Sequence, residues 1–235
     1  YKEAHFRRRI NVRVRATNSD SYEAYLKLLK KDPGEYRFLV ETLTVNVSEF
    51  FRNPETFKII EKEIIPYIVR YKSKLVIRPI RIWSAGCATG EEAYSLAILL
   101  HRILKKDFNK YRITITGTDI DTESLEKARK GLYSENSLKN IDINIKENYF
   151  LKQGEDYQII DQLKDIIHFK RHDLLSGPKL NNFDFIVCRN VMIYFKKEVQ
   201  EQLQLNFYQA LEKGGVFAIG KAETLLGTAS YLFKP

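Results

Sequence analysis

"IRIWSAGCATGEEAYSLA", residues Ile80 to Ala97, changes character at its middle. Ile80, Ile82 and Trp83 suit a buried strand, and Ala93, Leu96, Ala97 and Leu100 recur at helical spacing. Gly86 and Gly90 lie between, so the stretch reads as strand, tight turn and helix start, a place where a ligand meets backbone N–H groups. Helix N-termini attract anions, yet Glu91 and Glu92 stand where a phosphate would sit. That argues for a ligand with no phosphate near the turn.

Downstream, strands and helices alternate. "RITITGTDI", "DIIHFKRHD", "FDFIVCRNV" and "GVFAIG" read as strands, and residues 90–105, 122–131 and 196–212 as helices. Such alternation predicts an α/β fold, a Rossmann-like parallel sheet with helices on both faces. Ligands of open α/β sheets bind beyond the carboxyl ends of the strands. Those ends carry Gly86 and Gly90, then Asp119, then Asp173, then Arg189 and Asn190. Asp119 follows Gly90 by 29 residues (119 − 90), near where an acidic residue accepts from a ribose diol. The glycines read G-x-x-x-G, so the dinucleotide fingerprint is incomplete.

Upstream, residues 1 to 44 read as short helices. "FRRRINVRVR" holds Arg7, Arg8, Arg9, Arg13 and Arg15; on a helix, Arg8, Arg9 and Arg15 form part of one exposed face beside Ile10 and Val14. Such a face suits nucleic acid, anionic lipid or an acidic protein helix. Asn53 and Pro54 look like the N-cap and first position of a helix lined by Phe57, Ile60, Ile64 and Ile68, and "RYKSKLVIRP" reads as a polar connection after it. Residues Asn148 to Phe169 read as a small antiparallel hairpin turning over about three residues, Gly154, Glu155 and Asp156.

With 235 residues, 44% of them hydrophobic and 12% aromatic, the chain suits one main domain and a small appendage. No run is long enough to span a membrane and the start is no signal peptide, so a cytoplasmic location is expected. The net charge of +9 fits acidic partners, and equally a solubilising surface. Cys87 and Cys188 lie far apart without C-x-x-C, which fits packing or site-lining thiols in a reduced compartment and not a zinc site. His168 and His172 lack an H-E-x-x-H context and read as structural, so no metal is expected.

"LTVNVSEFFRN", "IWSAGCATGEEAYS", "GTDIDTESLEKARKGLY" and "FDFIVCRNVMIYF", in this order and spacing, resemble the CheR-type chemotaxis receptor methyltransferases over nearly the whole chain. The resemblance implies a helical receptor-contacting domain over residues 1–44 and an S-adenosylmethionine-binding catalytic domain over residues 45–235, with residues 148–169 as an inserted β-subdomain. It implies methyl transfer from S-adenosylmethionine to glutamate side chains of chemoreceptors, leaving S-adenosylhomocysteine. Arg52 and Tyr194 would stand at the transfer site; Asn46, Ser48, Arg52, Gly86, Glu92, Asp119, Asp173, Leu174, Arg189 and Asn190 would contact the cofactor. Asp119 would take the ribose, and Glu92 would face the sulfonium and the methionine amine. The partner would be the cytoplasmic helical bundle of chemoreceptors, met by a cytoplasmic monomer without nucleic acid or membrane insertion.

Read by residue type alone, Arg52 also suits a pairing with the following helix, and Tyr194 a core position. A glutamate carboxylate is ionised at neutral pH and needs no general base, so the demand on the site is geometric. Three positions depart from the family pattern: Ala93 stands for Pro, Asp173 for Asn and Ser48 for Thr. A nucleic-acid methyltransferase competes as a reading, but "CRNVMIYF" stands where N/D-P-P-Y/F is usual; so does an inactive receptor-binding module. Members that dock a receptor tail peptide on the β-subdomain carry a longer loop there, so independence of a tail is expected. "KAETLLGTASYLFKP" is too short for the usual excursion and seventh strand; the expectation is that this chain omits a C-terminal strand and some N-terminal residues.

Overall fold

The computed structural model describes residues 2–43 and 48–234. Three helices open it: α1 (Glu3–Ala16), α2 (Tyr22–Lys31) and α3 (Pro33–Leu43). Ser21 starts α2 by accepting from the Ala24 N–H at 3.1 Å. What holds the three together is a buried carboxylate. Glu35 accepts from Arg13 Nη2 at 2.6 Å and from the Tyr25 hydroxyl at 2.7 Å. Arg9 also turns inward, donating to the Thr42 carbonyl at 2.5 Å. The basic face expected on α1 is therefore divided: Arg8 and Arg15 stay exposed, while Arg9 and Arg13 fasten α1 to α3.

Next come α4 (Pro54–Ile59) and α5 (Ile65–Lys72), continuous through one π-helical turn at Ile60–Ile64. The wide turn shifts the apolar stripe by one residue, so Ile65 is buried where the regular period pointed to Ile64. Lys72 ends α5 inside the protein, paired with Asp184 at 2.6 Å. The following connection is less polar than expected, for Leu75, Val76 and Ile77 stand exposed on it.

The α/β part runs β1 (Pro79–Ala85), α6 (Glu91–Leu104), β2 (Arg112–Asp119), α7 (Thr122–Lys130), β3 (Leu132–Ser134), α8 (Ile143–Tyr149), β4 (Phe150–Gln153), β5 (Asp156–Ile159), α9 (Asp161–Lys164), β6 (Ile167–Arg171), β7 (Phe183–Cys188), α10 (Lys197–Ala210), β8 (Leu211–Ile219) and α11 (Ala229–Leu232). The main sheet has the order β6-β2-β1-β7-β8, with every pairing parallel. Ile80, Ile82, Phe185 and Val187 pack with α6 on one face; Trp83, Ala85, Ile186 and Cys188 pack with α10 on the other. This two-faced burial is the expected Rossmann-like architecture. The winding reverses between β1 and β7, which puts the crevice of an open α/β sheet beyond their carboxyl ends.

A second, antiparallel sheet has the order β3-β5-β4. The β4–β5 turn holds two residues, Gly154 and Glu155, tighter than the three expected, because Gln153 pairs directly with Asp156. The hairpin spans Phe150–Ile159, β3 completes it, and Ile167 to Phe169 belong to the main sheet. Among the described residues the main sheet has five strands, and Ala229–Leu232 forms a helical turn. Among the described residues no helix is long and apolar enough to cross a membrane.

Candidate active site

Over the carboxyl ends of β1, β2, β6 and β7 opens a cleft of about 1240 Å³, the open solvent at its mouth included. It is lined by Ser48, Arg52, Gly86, Glu92, Asp119, Asp173, Leu174, Arg189, Asn190 and Tyr194, together with Leu43 from α3, Cys87 and His172. Of the residues singled out in the sequence, Asn46 alone lies outside the described residues.

The loop after β1 forms the floor. Gly86 and Cys87 donate their N–H groups to the Thr118 carbonyl at 2.8 and 2.9 Å, carrying the β1–β2 contact past the strand ends. Gly86 has φ +75°, and a Cβ there would lie 2.4 Å from Val191 Cγ2; Gly90 has φ +94°, and its Cβ would lie 2.9 Å from Ala128 Cβ. Only glycine meets both conditions, a left-handed backbone and no room.

Asp119 ties this loop to β2. One oxygen accepts from the Ala88 N–H at 2.9 Å and the other from the Asp121 N–H at 3.0 Å. Burial holds the carboxyl above its usual range, the Asp121, Ala88 and Ile120 N–H groups opposing. Glu92 lies on the opposite wall. It accepts from the Ser84 hydroxyl at 2.8 Å and meets Arg189 Nη1 at 3.3 Å. Burial raises its carboxyl and Arg189 opposes that shift.

Glu91 and Glu92 do not act together, in contrast to the reading that both front the ligand. One helical step apart, Glu91 turns into the core, where the Thr89 and Ser48 hydroxyls bond its carboxylate. Ser48 thus lines the cleft with its side chain engaged on Glu91. Asp173 is engaged likewise: it accepts from the Ser176 hydroxyl at 2.6 Å and the Leu175 N–H at 2.9 Å, which hold its carboxyl below the usual range.

Arg189 is the buried hinge of the site. Its Nη2 donates to the Arg52 carbonyl and to Asn53 Oδ1, both at 2.7 Å, and its guanidinium lies 5.4 Å from the Phe57 ring centre. Asn53 stands at the N-cap position but caps nothing; its side chain serves Arg189 instead. Phe51 and Asn53 both have left-handed backbones, φ +53° and +60°, and the Phe51 N–H donates to the Ser95 hydroxyl at 3.0 Å. Arg52 sits between these two anchors. Among the described residues, Arg189 Nε is a buried donor with no hydrogen-bond acceptor. Tyr194 comes from the short turn Met192–Tyr194, and its carbonyl accepts from the Lys2 N–H at 2.9 Å.

Sequence reasoning passed over His172 as a cleft residue. It is buried edge-on against Trp83, with ring centres 5.7 Å apart, and burial lowers its pKa. Its place directly after β6, beside Asp173, was the signal. Cys87 and Cys188 are both buried, which pushes their thiols well up; only Cys87 lines the cleft.

The CheR methyltransferase all-alpha domain matches residues 1–44, and the CheR methyltransferase SAM binding domain matches residues 46–234. The chemotaxis protein methyltransferase of Listeria innocua is 35% identical over 232 residues, 98% of this chain and 85% of that one. The protein of the same name from Listeria monocytogenes is 34% identical over the same shares, and that of Borreliella burgdorferi 30% identical over 93% of this chain and 79% of its own. With both family domains matched in order along the sequence and relatives of this identity covering nearly all of it, the chain belongs to the CheR family of S-adenosylmethionine-dependent methyltransferases.

Proposed function

We propose that this protein transfers a methyl group from S-adenosylmethionine to glutamate side chains in the cytoplasmic helical bundle of chemoreceptors, giving glutamate methyl esters and S-adenosylhomocysteine. The observation that carries the proposal is the convergence of Arg52, Glu92, Asp119, Arg189 and Tyr194, drawn from distant parts of the sequence, on one cleft. In this reading residues 1–44 contact the receptor and residues 45–235 carry the chemistry. The protein works as a cytoplasmic monomer.

The donor set fits the cofactor. Asp119 offers a cleft-lining carboxylate to a ribose diol. Glu92 offers negative charge to an amine and a sulfonium, and the unsatisfied Arg189 Nε offers a buried donor to a carboxylate. His172 and Leu174 supply apolar surface for a base, while Asp173 retains a lone pair for its amino group. When bound, S-adenosylmethionine supplies an electrophilic methyl on sulfur.

The residues then have a geometric task. Arg52, held between its two anchored neighbours, orients the incoming carboxylate with a planar fork. Tyr194 presents a hydroxyl and a π-face beside the positive centre. No proton leaves the nucleophile, so proximity and fixed charge carry the rate. The test is a tritiated-methyl transfer assay on membranes carrying chemoreceptors, with alkaline hydrolysis of the product. Base-labile label on glutamate is expected; an alkali-stable product overturns the ester.

A further inference from the structure

The parallel ladder between β7 and β8 ends at the pair Cys188 and Ile219. Beyond it β7 runs on into Asn190, Val191 and Met192, and β8 into Gly220. Backbone N–H groups there have left the sheet and still require acceptors. All four donate to one side chain, that of Glu223, which is buried behind the cleft wall. Its Oε2 accepts from Asn190 at 3.1 Å and from Gly220 at 2.6 Å, one donor from each strand's extension. Its Oε1 accepts from Val191 at 3.1 Å and Met192 at 2.8 Å.

The carboxylate thus supplies an added rung after the ladder stops. Asn190 has φ +62°, so the consecutive N–H groups of residues 190 to 192 converge as a concave anion-binding nest. A buried carboxylate is tolerated when hydrogen bonds meet its charge. The chain returns tightly to place it: the Glu223 N–H donates to the Gly220 carbonyl at 2.9 Å, and a Cβ on Gly220 would lie 2.7 Å from Glu223 Oε2.

The residues so held are cleft residues. Asn190 and Val191 line it directly. Tyr194 hangs from the same turn, its N–H donating to the Val191 carbonyl at 3.3 Å, and Phe195 follows with a bond to the Met192 carbonyl at 3.0 Å. We infer that Glu223 is a positioning residue for methyl transfer, fixing through four backbone N–H groups the loop that carries Asn190 and Tyr194 into the cleft. This rests on the proposed function and adds a residue that the reaction chemistry does not itself call for.

Two variants of the full chain test it. Glu223→Gln keeps the shape but sets an amide NH2 against two of the four N–H donors; Glu223→Asp keeps the charge with a shorter reach. With receptor membranes as substrate, Glu223→Gln is expected to lower kcat by about tenfold or more while KM for the receptor changes less than about twofold. Glu223→Asp should recover part of that loss. Because Glu223 acts in part through Tyr194, the double variant with Tyr194→Phe should lose less than the product of the two single losses. Hydrogen exchange at the Val191 and Met192 amides should quicken by about tenfold or more, with α6 unchanged.

Wild-type kcat in the folded variants, multiplying losses with Tyr194→Phe, or unchanged exchange at Val191 and Met192 would each overturn the inference. If the wild-type protein methylates no receptor, the proposed function fails, and the exchange measurement still decides the role of Glu223. Should Glu223→Gln not fold, Glu223→Asp carries the same comparisons.

Discussion

Arg189 and Glu92 meet at 3.3 Å where β7 and β1 end, the arginine side chain 2% and the glutamate side chain 14% exposed. The same guanidinium holds the Arg52 carbonyl and Asn53, so one buried cation joins the wall of the cleft to the segment entering it. Removing it leaves a buried carboxylate without its counter-charge and frees the 51–53 turn. Arg189→Met should therefore lower unfolding stability by about 3–5 kcal/mol, measured by urea titration. Arg189→Lys should fall between, because a point charge cannot reach three acceptors as the planar fork does.

Asp119→Ala should weaken S-adenosylhomocysteine binding by about 1.5–3 kcal/mol in calorimetry, the loss expected for charge-assisted hydrogen bonds. It also frees the Ala88 and Asp121 N–H groups, so the glycine loop should exchange faster. An unchanged dissociation constant would place the ribose elsewhere.

Arg52→Ala should reduce kcat by about 10²-fold or more, as the loss of a preorganised charge at the reacting centre does. Tyr194→Phe should have a smaller effect, since the ring face stays. Near-full transfer by Arg52→Ala removes it from the mechanism.

Gly86→Ala should cost about 1–3 kcal/mol of stability and abolish tight cofactor binding, because its Cβ collides with Val191. Gly154→Ala is the comparison: φ is +65°, but nothing lies within 4 Å of a Cβ there, so it carries backbone strain alone. Equal effects of the two on cofactor binding would count against the collision.

Two electrostatic expectations concern the N-terminal helices. Hydrogen bonds from Arg13, then Tyr25, hold the Glu35 carboxyl below its ordinary 4.5, so its contribution is present above that pH and is lost as pH falls through the lowered folded value. Exchange protection in α2 should drop over that acidic window, and Glu35→Gln should flatten the pH dependence. Exposed Arg8 and Arg15 remain free for an acidic receptor face, so rising salt should slow methylation steeply. Deleting a receptor tail should matter little. A large loss on tail deletion with little salt dependence would sink this.

Much of the protein is written in local pattern. The run from Ile80 to Ala97 already announces strand, glycine turn and helix, because periodicity and the bulk tolerated at a turn are properties of neighbouring residues. The strand-end rule likewise places Gly86, Asp119, Asp173, Arg189 and Asn190 on one crevice. What the sequence could not determine is which polar partner each side chain takes. Arg9 and Arg13 share a basic run with Arg8 and Arg15, yet they turn inward because Thr42 and Glu35, far along the chain, come to lie beside them. Glu91 and Glu92 are adjacent and alike, but a helix sends one to Thr89 and Ser48 and the other to the cleft. Glu223 is an unremarked residue in a polar stretch until two parallel strands end beside it with N–H groups to satisfy. Periodicity follows from the order of the residues; hydrogen-bond partnership follows from which distant backbone the tertiary fold brings near, and only the folded chain decides it.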